Sequence, residues 1–278
     1  MTHTPAFHEI ADRVHLLRHP VLDVNVTLIT APGAALLVDT LSTDTQAREL
    51  AGAIRRITRD PLTIVNTHHH FDHCFGNATL AGPATPIWAH EAAARELRDN
   101  APRLQQHWYD EWLPTDPALA TGLAAVTVRV PDHLVHTEAS IDLAGRPITL
   151  HHLGRGHTAG DLVLTVPDAR LLLAGDLVEQ GAPPSYGTDA YPLEWPATVA
   201  ALLRLLPPDG LVVPGHGAPV DHAFVTAQHR QLTELGTLIR QGHATGATPE
   251  DVAARSPFGP AASLVAVRRG YTALTGQS

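Results

Sequence analysis

The sequence contains no lysine: its 19 basic residues are all arginine, they face 28 Asp and Glu, and the net charge is −9. Because a Schiff base, a P-loop and a Ser–Lys pair each need a lysine amine, the composition excludes these three kinds of chemistry. A net negative chain also lacks the basic surface on which nucleic-acid binding depends. We therefore expect a small-molecule substrate and no nucleic-acid partner.

Cysteine and long apolar stretches are also scarce. The one cysteine, Cys74, leaves no internal disulfide and no zinc finger to be formed, and we interpret it as a small packed side chain. No apolar run approaches the roughly 18 residues of a membrane span. Residues 1–14 have neither the basic nor the apolar region of a secretory signal. From these absences we expect a cytoplasmic protein with no membrane partner.

Strand and helix patterns alternate along most of the 278 residues, of which 44% are hydrophobic. Short runs rich in Val, Ile and Leu predict strands over residues 14–18, 24–30, 35–39, 62–65, 86–89, 141–143, 148–153, 162–166, 171–174 and 211–213. Helical spacing of apolar residues predicts helices over residues 44–57, 91–98 and 195–206, and over most of 221–275. Thr43 is placed to cap the first of these helices.

Two successive sets of strands, each followed by helices, predict an α/β fold in which two sheets pack together with helices outside. We expect a single domain over residues 1–278, with a core of about residues 10–220 and a helical C-terminal extension over 221–278. The extension could serve as a homodimer surface or cover a sheet.

Two segments, 100–122 and 179–194, interrupt the alternation: the first is polar and divided by prolines, and the second is predicted to be a loop. The first contains Pro102, Pro114 and Pro117, and the second is rich in Pro and Gly. They hold five of the few aromatic residues of the chain: Trp108, Tyr109, Trp112, Tyr186 and Tyr191. This clustering indicates the walls or the lid of a substrate pocket, although helix packing could also explain the tryptophans.

Imidazole is abundant in this chain, with 19 histidines, and the most informative ones lie in residues 67–73. Four metal-capable side chains, His68, His70, Asp72 and His73, directly follow an apolar strand there. Because alternate residues of a strand point to the same side, His68 and His70 can face one ion. After the turn, Asp72 and His73 can face a second one.

Three more metal-capable residues follow later strands. His157 lies in a Gly-His-Thr segment, Asp176 in Ala-Gly-Asp, and His216 in Pro-Gly-His-Gly. The neighbouring glycines allow the backbone to turn and to come close to a ligand. Since strand ends on one edge of a sandwich converge, we expect these residues to share a site with the first four.

These blocks, in this order, resemble the metallo-β-lactamase superfamily, whose first motif would be represented by Asp39. The resemblance covers about residues 10–220 and implies an αββα four-layer sandwich with a dinuclear metal site at its open edge. It also implies that His68, His70 and His157 hold one metal ion, that Asp72, His73 and His216 hold the other, and that Asp176 bridges them. Asp39 would orient a ligand loop, or it simply ends its strand.

The implied activity is that of a metal-dependent hydrolase. Seven nitrogen and oxygen ligands without a thiolate favour two divalent ions, zinc above all, with iron or manganese also accepted. A metal-bridging hydroxide would attack a small carbonyl-type substrate such as a thioester, lactone, ester or amide. Asp72 could accept and return the proton, and Arg155 could bind a substrate carboxylate, although a solvated loop arginine is the simpler interpretation.

Departures from known branches narrow the choice. The resemblance implies a bridging aspartate at position 176, and the dinuclear β-lactamases generally lack one. β-Lactam hydrolysis is therefore only a further alternative. The metal set is that of glyoxalase II-like thioesterases, but the lysines that could hold glutathione are missing. Acyl-homoserine lactonases have a tyrosine at the position of Glu179.

Two rival hypotheses belong to other classes. A mononuclear iron oxygenase of the persulfide dioxygenase type would use only His68, His157 and Asp176. A non-catalytic metal-binding or partner-binding module would turn over no ester. Metal analysis and oxygen consumption separate these rivals from the hydrolase.

Overall fold

The computed structural model describes residues 6–276 and divides the chain into two compact units. Unit 1 comprises the described residues up to His151 together with Val166–Ala169. Unit 2 comprises His152–Thr165 and the described residues from Arg170 onward. The single domain expected over residues 1–278 stays a prediction.

Unit 1 is built on two groups of strands. The strands are β1 (His8–Ala11), β2 (Val14–His19), β3 (Val24–Ala31), β4 (Ala34–Val38), β5 (Leu62–Val65), β6 (Ile87–His90), β7 (His133–Val135), β8 (Glu138–Leu143) and β9 (Arg146–His151). The first four pair antiparallel in chain order, and β4 to β7 continue the sheet as parallel neighbours. β8 and β9 form an antiparallel hairpin. The parallel register aligns Val38 with Val65, so the segments that follow β4 and β5 leave the same edge of the sheet.

The helices of unit 1 are α1 (Asp44–Arg55), α2 (Phe71–Cys74), α3 (Asn77–Leu80), α4 (Glu91–Trp112) and α5 (Pro117–Ala125). Thr43 caps α1, as predicted, because its hydroxyl accepts a hydrogen bond from the backbone N–H of Gln46 at 3.3 Å. α2 is a single turn whose four residues are all buried. It follows β5 closely and carries two of the metal-capable side chains.

α4 is longer than the helix predicted over residues 91–98. α4 continues through Pro102 to Trp112, and α5 begins at Pro117, the first helical position, where a missing N–H costs nothing. Pro102 removes one hydrogen bond from α4. That loss is offset by burial of an apolar face that includes Leu97, Leu104 and Trp108.

Unit 2 contains the strands β11 (Leu171–Glu179) and β12 (Leu211–His216), which pair parallel. β10 (Val163–Val166) is the neighbour of β11, and its last residue belongs to unit 1. The helices of this unit are α6 (Trp195–Leu205), α7 (His222–Thr245), α8 (Pro249–Ala253) and α9 (Pro260–Leu274). They pack on the sheet around a core that contains Trp195, Val212, Leu235 and Ile239, all fully buried. The predicted helical C-terminal segment is therefore present.

β11 is longer than predicted, because it passes the expected end at residue 174 and reaches Glu179 with every residue buried. Its register with β12 shifts after Leu173, where Gly175 has a φ of +52°. This bulge lets the strand continue beyond a glycine that suggests a strand end in the sequence. Within residues 6–276 the structure has no helix that is both long enough and apolar enough to cross a membrane.

Candidate metal centre

The first four metal-capable side chains lie together in unit 1 and form the unit 1 ligand group: His68, His70, Asp72 and His73. The ring of His68 lies 4.7 Å from that of His70 and 4.3 Å from that of His73, measured between centroids. Nε2 of His73 lies 3.4 Å from Oδ2 of Asp72. His68, Asp72 and His73 are buried, and His70 is half-buried. The structure therefore brings together the four side chains that the sequence singled out in residues 67–73.

Asp39 organises this group through a hydrogen-bond network. It accepts bonds from the N–H and from the hydroxyl of Thr67, both at 2.8 Å, and its Oδ2 lies 2.8 Å from Nδ1 of His73. Oγ1 of Thr67 lies 3.1 Å from Nδ1 of His68. Since the Thr67 hydroxyl donates to Asp39, it is left to accept from the Nδ1–H of His68. In both neutral rings Nε2 then carries the lone pair, which is the form that binds a metal.

The backbone of Asp39 is in a strained conformation. Its φ is +66°, in the left-handed region that most L-residues avoid and that aspartate tolerates better than most. Burial raises the pKa of this carboxyl above its usual range, while His73 and Thr67 act in the opposite direction. Strain and burial at one carboxylate are typical of a functional position. Asp39 as a residue that orients ligands stays a prediction, now with named contacts.

The backbone around His73 is fixed from a second direction. Its carbonyl accepts hydrogen bonds from the N–H of Thr40 at 2.9 Å and from the side-chain amide of Asn66 at 3.1 Å. Asn77, in turn, bonds to Asn66 at 2.8 Å. These buried polar groups hold the end of α2 against the loops after β4 and β5. Their contacts fix the position of the His73 backbone.

Three aromatic residues predicted to line a pocket lie on α4 of unit 1. Trp108 is 7% exposed and packs against Phe71, with ring centroids 5.1 Å apart, and 5.9 Å from the ring of His70. Trp112 and Tyr109 are half-buried on the same helix, and the Trp112 ring lies 6.2 Å from that of Phe71. Trp108 thus supports the segment that carries the unit 1 ligand group.

The other three metal-capable residues lie in unit 2 and form the unit 2 ligand group: His157, Asp176 and His216. Oδ2 of Asp176 is 3.4 Å from Nε2 of His157 and 3.3 Å from Nε2 of His216. Nδ1 of His157 lies 3.0 Å from the carbonyl oxygen of Ser185, which can only accept a hydrogen bond. Its Nε2, the atom on the side of Asp176, therefore carries the lone pair.

The loop that carries His157 is held by Asp161. The carboxylate of Asp161 accepts hydrogen bonds from the N–H of Thr158 at 2.9 and 3.0 Å and from its hydroxyl at 2.6 Å. All of these groups are buried. In addition, the Thr198 hydroxyl bonds to the carbonyl of Arg155 at 2.6 Å. The loop conformation is thus fixed by short side-chain to backbone bonds on both sides of His157.

Both ligand groups suit a divalent metal. They offer only imidazole nitrogen and carboxylate oxygen, the donors that zinc, iron and manganese share. At Gly215 the backbone passes so close to Asp176 that an added Cβ would collide with Oδ1 of that carboxylate. Only glycine permits this approach, which sets the distance between Asp176 and His216. The donor set and the close approach of the Gly215 backbone to Asp176 fit a metal-binding role for the unit 2 ligand group.

Glu179 lies beside the unit 2 ligand group, although the sequence pointed to it only as a departure from the acyl-homoserine lactonases. It is 6% exposed, and its ligand oxygen lies within 4.8 Å of the ligand atoms of His157 and Asp176. Its Oε1 accepts a hydrogen bond from the N–H of Ser185 at 2.7 Å. The sequence shows it three residues after Asp176. Only the extension of β11 beyond Gly175 reveals that it reaches the same place.

The remaining predicted pocket residues of unit 2 have firm partners. Arg155 is paired with Glu194 at 2.5 Å, and its guanidinium lies 4.2 Å from the ring centre of Tyr191. Tyr186 is buried, with its ring 5.0 Å from that of Trp195. Arg155 therefore has an acidic partner of its own. The use of these residues in binding a substrate stays a prediction.

Comparison with known proteins identifies the family. The family model of the metallo-beta-lactamase superfamily matches residues 19–216, so the chain belongs to this superfamily. This confirms the resemblance found in the sequence. The match ends at His216, the last residue of the unit 2 ligand group.

Individual relatives are distant. The chain is 25% identical over 204 residues to a metallo-beta-lactamase type 2 of Bacillus cereus, a match that covers 72% of this chain and 70% of the relative. It is 31% identical over 90 residues to the corresponding Bacteroides fragilis protein, covering 32% of this chain and 36% of the relative.

Solved structures show the same fold. The metallo-beta-lactamase from Pontibacter korlensis superposes with a TM-score of 0.67 at 20% identity, covering 82% of this chain and 99% of that one. The FIM-1 metallo-beta-lactamase from Pseudomonas aeruginosa, solved in a mono-zinc form, gives 0.66 at 18% identity, covering 84% and 97%. The chain therefore has the metallo-β-lactamase fold predicted from its sequence. Family membership and the ligand groups support a metal-dependent hydrolase.

Proposed function

We propose that this protein is a dinuclear metal hydrolase that cleaves a small carbonyl-type substrate, a thioester, lactone, ester or amide. In this proposal the unit 1 and unit 2 ligand groups together hold two ions, for which zinc fits the donors best. As the superfamily pattern implies, His68, His70 and His157 would serve one ion and Asp72, His73 and His216 the other, with Asp176 shared. A bound metal pair would supply an activated water and would stabilise negative charge on the substrate oxygen.

The observation that carries the proposal is the set of contacts made by Nδ1 of the histidines. His68, His73 and His157 each have Nδ1 engaged by an oxygen of the protein, at 3.1, 2.8 and 3.0 Å. This arrangement fixes the tautomer whose Nε2 is a metal donor. Burying so many imidazole and carboxylate groups is unfavourable without a charged partner, because each loses its hydration. A pair of cations explains both features.

The residues of the chain divide the remaining work. Asp39 and Asp161 hold the ligand-bearing loops, and neither belongs to the ligand groups. Asp72 is the proposed proton carrier, since its Oδ2 lies 3.4 Å from Nε2 of His73 at the end of the unit 1 ligand group. A carboxylate there can accept the proton of the attacking water and return it to the leaving group. The absence of lysine is consistent with a reaction that needs no amine nucleophile.

A substrate panel with matched histidine variants tests this function. We expect the protein to hydrolyse at least one of a thioester, a lactone and an aryl ester, and His68→Ala to lower kcat/KM by roughly three orders of magnitude or more. His107→Ala is the control, because His107 is exposed on α4 outside both ligand groups. A metal-free preparation that keeps full activity would contradict the proposal. So would consumption of oxygen by a protein with one iron, which would favour the oxygenase rival.

β-Lactam hydrolysis is a second candidate, favoured by the names of the relatives. The Bacillus cereus and Bacteroides fragilis proteins are both metallo-beta-lactamases type 2. Asp176 opposes this assignment, since dinuclear β-lactamases generally lack a bridging aspartate. Including a chromogenic cephalosporin in the same panel decides the point. We expect its kcat/KM to be below that of the preferred thioester, lactone or ester, and the reverse ranking would replace our choice of substrate class.

A further inference from the structure

Unit 2 contains a cavity of about 460 Å³ whose lining residues come partly from the segment matched by the superfamily and partly from beyond it. Its walls come from residues 181–184 after β11, from one face of α7, and from Pro257 and Phe258 before α9. Glu179, at the end of β11, also lines it. The volume is within the range of roughly 300–1,000 Å³ that is common for small-molecule sites.

The α7 face is a regular one. Phe224, Ala227, Gln228 and Gln231 all line the cavity, and their spacing places them on one side of the helix. Gln228 is buried, and both ends of its side-chain amide have hydrogen-bond partners. Its Oε1 accepts from the N–H of Glu179 at 3.2 Å, and its Nε2 donates to the Leu177 carbonyl at 2.9 Å. Gln228 therefore braces the floor of the cavity.

The lining has a definite polarity. Most of it is apolar, from phenylalanine, proline and alanine side chains, and Glu179 is the one charged residue among the described residues that line it. Neither arginine nor histidine is present in that lining, within residues 6–276, to bind an anion. A ligand group with a carboxylate or a phosphate would thus meet like charge and no counter-charge. An apolar group, with or without a hydrogen-bond donor near Glu179, suits these walls.

Glu179 connects this cavity to the unit 2 ligand group. Its ligand oxygen lies within 4.8 Å of those of His157 and Asp176, and the same side chain contributes to the cavity wall. Glu179 is therefore the residue at which the cavity wall and the unit 2 ligand group meet.

We propose that this cavity binds the non-reacting arm of the substrate, an apolar acyl or alkyl chain that is neutral or carries a donor, and that Glu179 excludes arms ending in an anionic group. This inference rests on the proposed hydrolase function for the identity of its ligand. It places determinants of specificity on Glu179 at the end of β11, on α7 and on the α8–α9 connection.

A pair of tryptophan substitutions tests the location. Ala227 is an exposed residue of the lining, so Ala227→Trp should fold and fill the cavity, whereas Ala244→Trp adds the same side chain at an exposed position of α7 outside the lining. With hexanamide as the probe in isothermal titration calorimetry, we expect Ala227→Trp to weaken binding by about tenfold or more. Ala244→Trp should bind as the unsubstituted protein does. Equal binding by both variants would overturn the proposed location.

The role of Glu179 is tested by charge. We expect the unsubstituted protein to bind the monoamide of adipic acid, whose free end is a carboxylate, at least about tenfold more weakly than hexanamide. Glu179→Gln should remove most of this difference between the two amides. Glu234→Gln is the control, because Glu234 is an exposed residue of α7 outside the lining. A preference for the anionic amide, or no change in Glu179→Gln, would contradict the assignment.

The two proposals fail in different ways. If hexanamide binds and Ala227→Trp prevents it while no carbonyl substrate is cleaved, the hydrolase function is wrong and the cavity is a ligand site of another kind. If esters or thioesters are cleaved but Ala227→Trp and Glu179→Gln leave every kcat/KM unchanged, the hydrolase function holds and the cavity inference is overturned. Parallel measurement with hexanoyl and adipoyl thioesters gives both results.

Discussion

The two ligand groups reach similar chemistry by different means. The unit 1 ligand group takes four side chains from six consecutive residues and orients them through a side-chain network centred on Asp39. The unit 2 ligand group takes three side chains from residues far apart in sequence: His157 from a loop, Asp176 from β11 and His216 from β12. One group depends on a shared carboxylate, and the other depends on backbone geometry, at Gly215 and in the loop held by Asp161.

This difference shows where each group is vulnerable. The Asp39 carboxylate accepts hydrogen bonds from Thr67 and His73 and thereby fixes the tautomers of the ligand histidines. Its loss should therefore affect metal affinity more than folding. A glycine that allows close approach sets backbone position, so its loss should affect folding and metal affinity together. Substitutions in the two units therefore separate the effect on metal affinity from the effect on folding. The expected loss of metal affinity decreases from Gly215 through Asp39 and Asp161 to Cys74.

Gly215→Ala should cause the largest change. An added Cβ collides with Oδ1 of Asp176, and β12 has to move to relieve the clash. We expect a loss of about 1–3 kcal/mol in the free energy of unfolding, measured by urea denaturation, and a weaker metal affinity by about 100-fold or more. The matched control is Gly52→Ala in α1, where the nearest atom to the new Cβ is 3.9 Å away. That variant should gain about 0.5–1 kcal/mol, since alanine favours a helix. Normal metal content in Gly215→Ala would show that the close approach of the Gly215 backbone to Asp176 is not needed for metal binding.

Asp39→Asn tests the network of unit 1. Asparagine keeps the shape but replaces one acceptor oxygen by an N–H₂ donor. That donor faces either Nδ1 of His73 and the Thr67 hydroxyl, or the backbone N–H of Thr67, so in both orientations the network loses an acceptor. We expect metal affinity to fall by about 10- to 100-fold with the fold retained. Competition with a chromophoric chelator measures the affinity, and circular dichroism checks the fold. Unchanged affinity would show that Asp39 only terminates β4.

Asp161→Asn is the corresponding change in unit 2. It weakens the bonds to Thr158 that hold the His157 loop, but it leaves Nδ1 of His157 on the Ser185 carbonyl. We expect a loss of about 1–3 kcal/mol of stability, because buried acceptors are lost, and a change in metal affinity smaller than that of Asp39→Asn. The opposite ranking would invert the comparison between the two units.

Cys74→Ala should have the smallest effect. The thiol is buried in α2, donates to the carbonyl of His69 at 3.2 Å, and has a pKa raised well above its usual value by burial. We expect little change in metal content or activity and a loss of about 1 kcal/mol of stability. In the unsubstituted protein, alkylation of Cys74 by iodoacetamide should be slow until the protein is unfolded. Loss of metal in the alanine variant would mean that the thiol is a ligand after all.

The sequence predicted the parts of the site that depend on local order. The run from His68 to His73 follows a strand, and its ligand pattern is visible without the fold. The glycine-flanked positions of His157 and His216 were equally recognisable. What the sequence could not show is how Thr67 and Asp39 link His68 to His73, because that contact joins two loops 28 residues apart.

Two errors have physical causes. The helix predicted over residues 91–98 was too short, because the buried face with Leu104 and Trp108 keeps α4 helical through Pro102. Gly175 indicated the end of a strand, yet a bulge carries β11 on to Glu179. That extension places Glu179 beside the unit 2 ligand group and the cavity. The spacing of Phe224, Ala227, Gln228 and Gln231 on α7 was a signal that could have predicted one wall of it.

The central claim is that the two ligand groups act together on two metal ions. Elemental analysis of the purified protein, followed by stepwise metal return after chelation, tests it most directly. We predict two equivalents of a divalent metal, zinc foremost, and hydrolytic activity that reaches its maximum with the second equivalent. A protein that binds no metal, or that is fully active with one ion or none, would contradict the account.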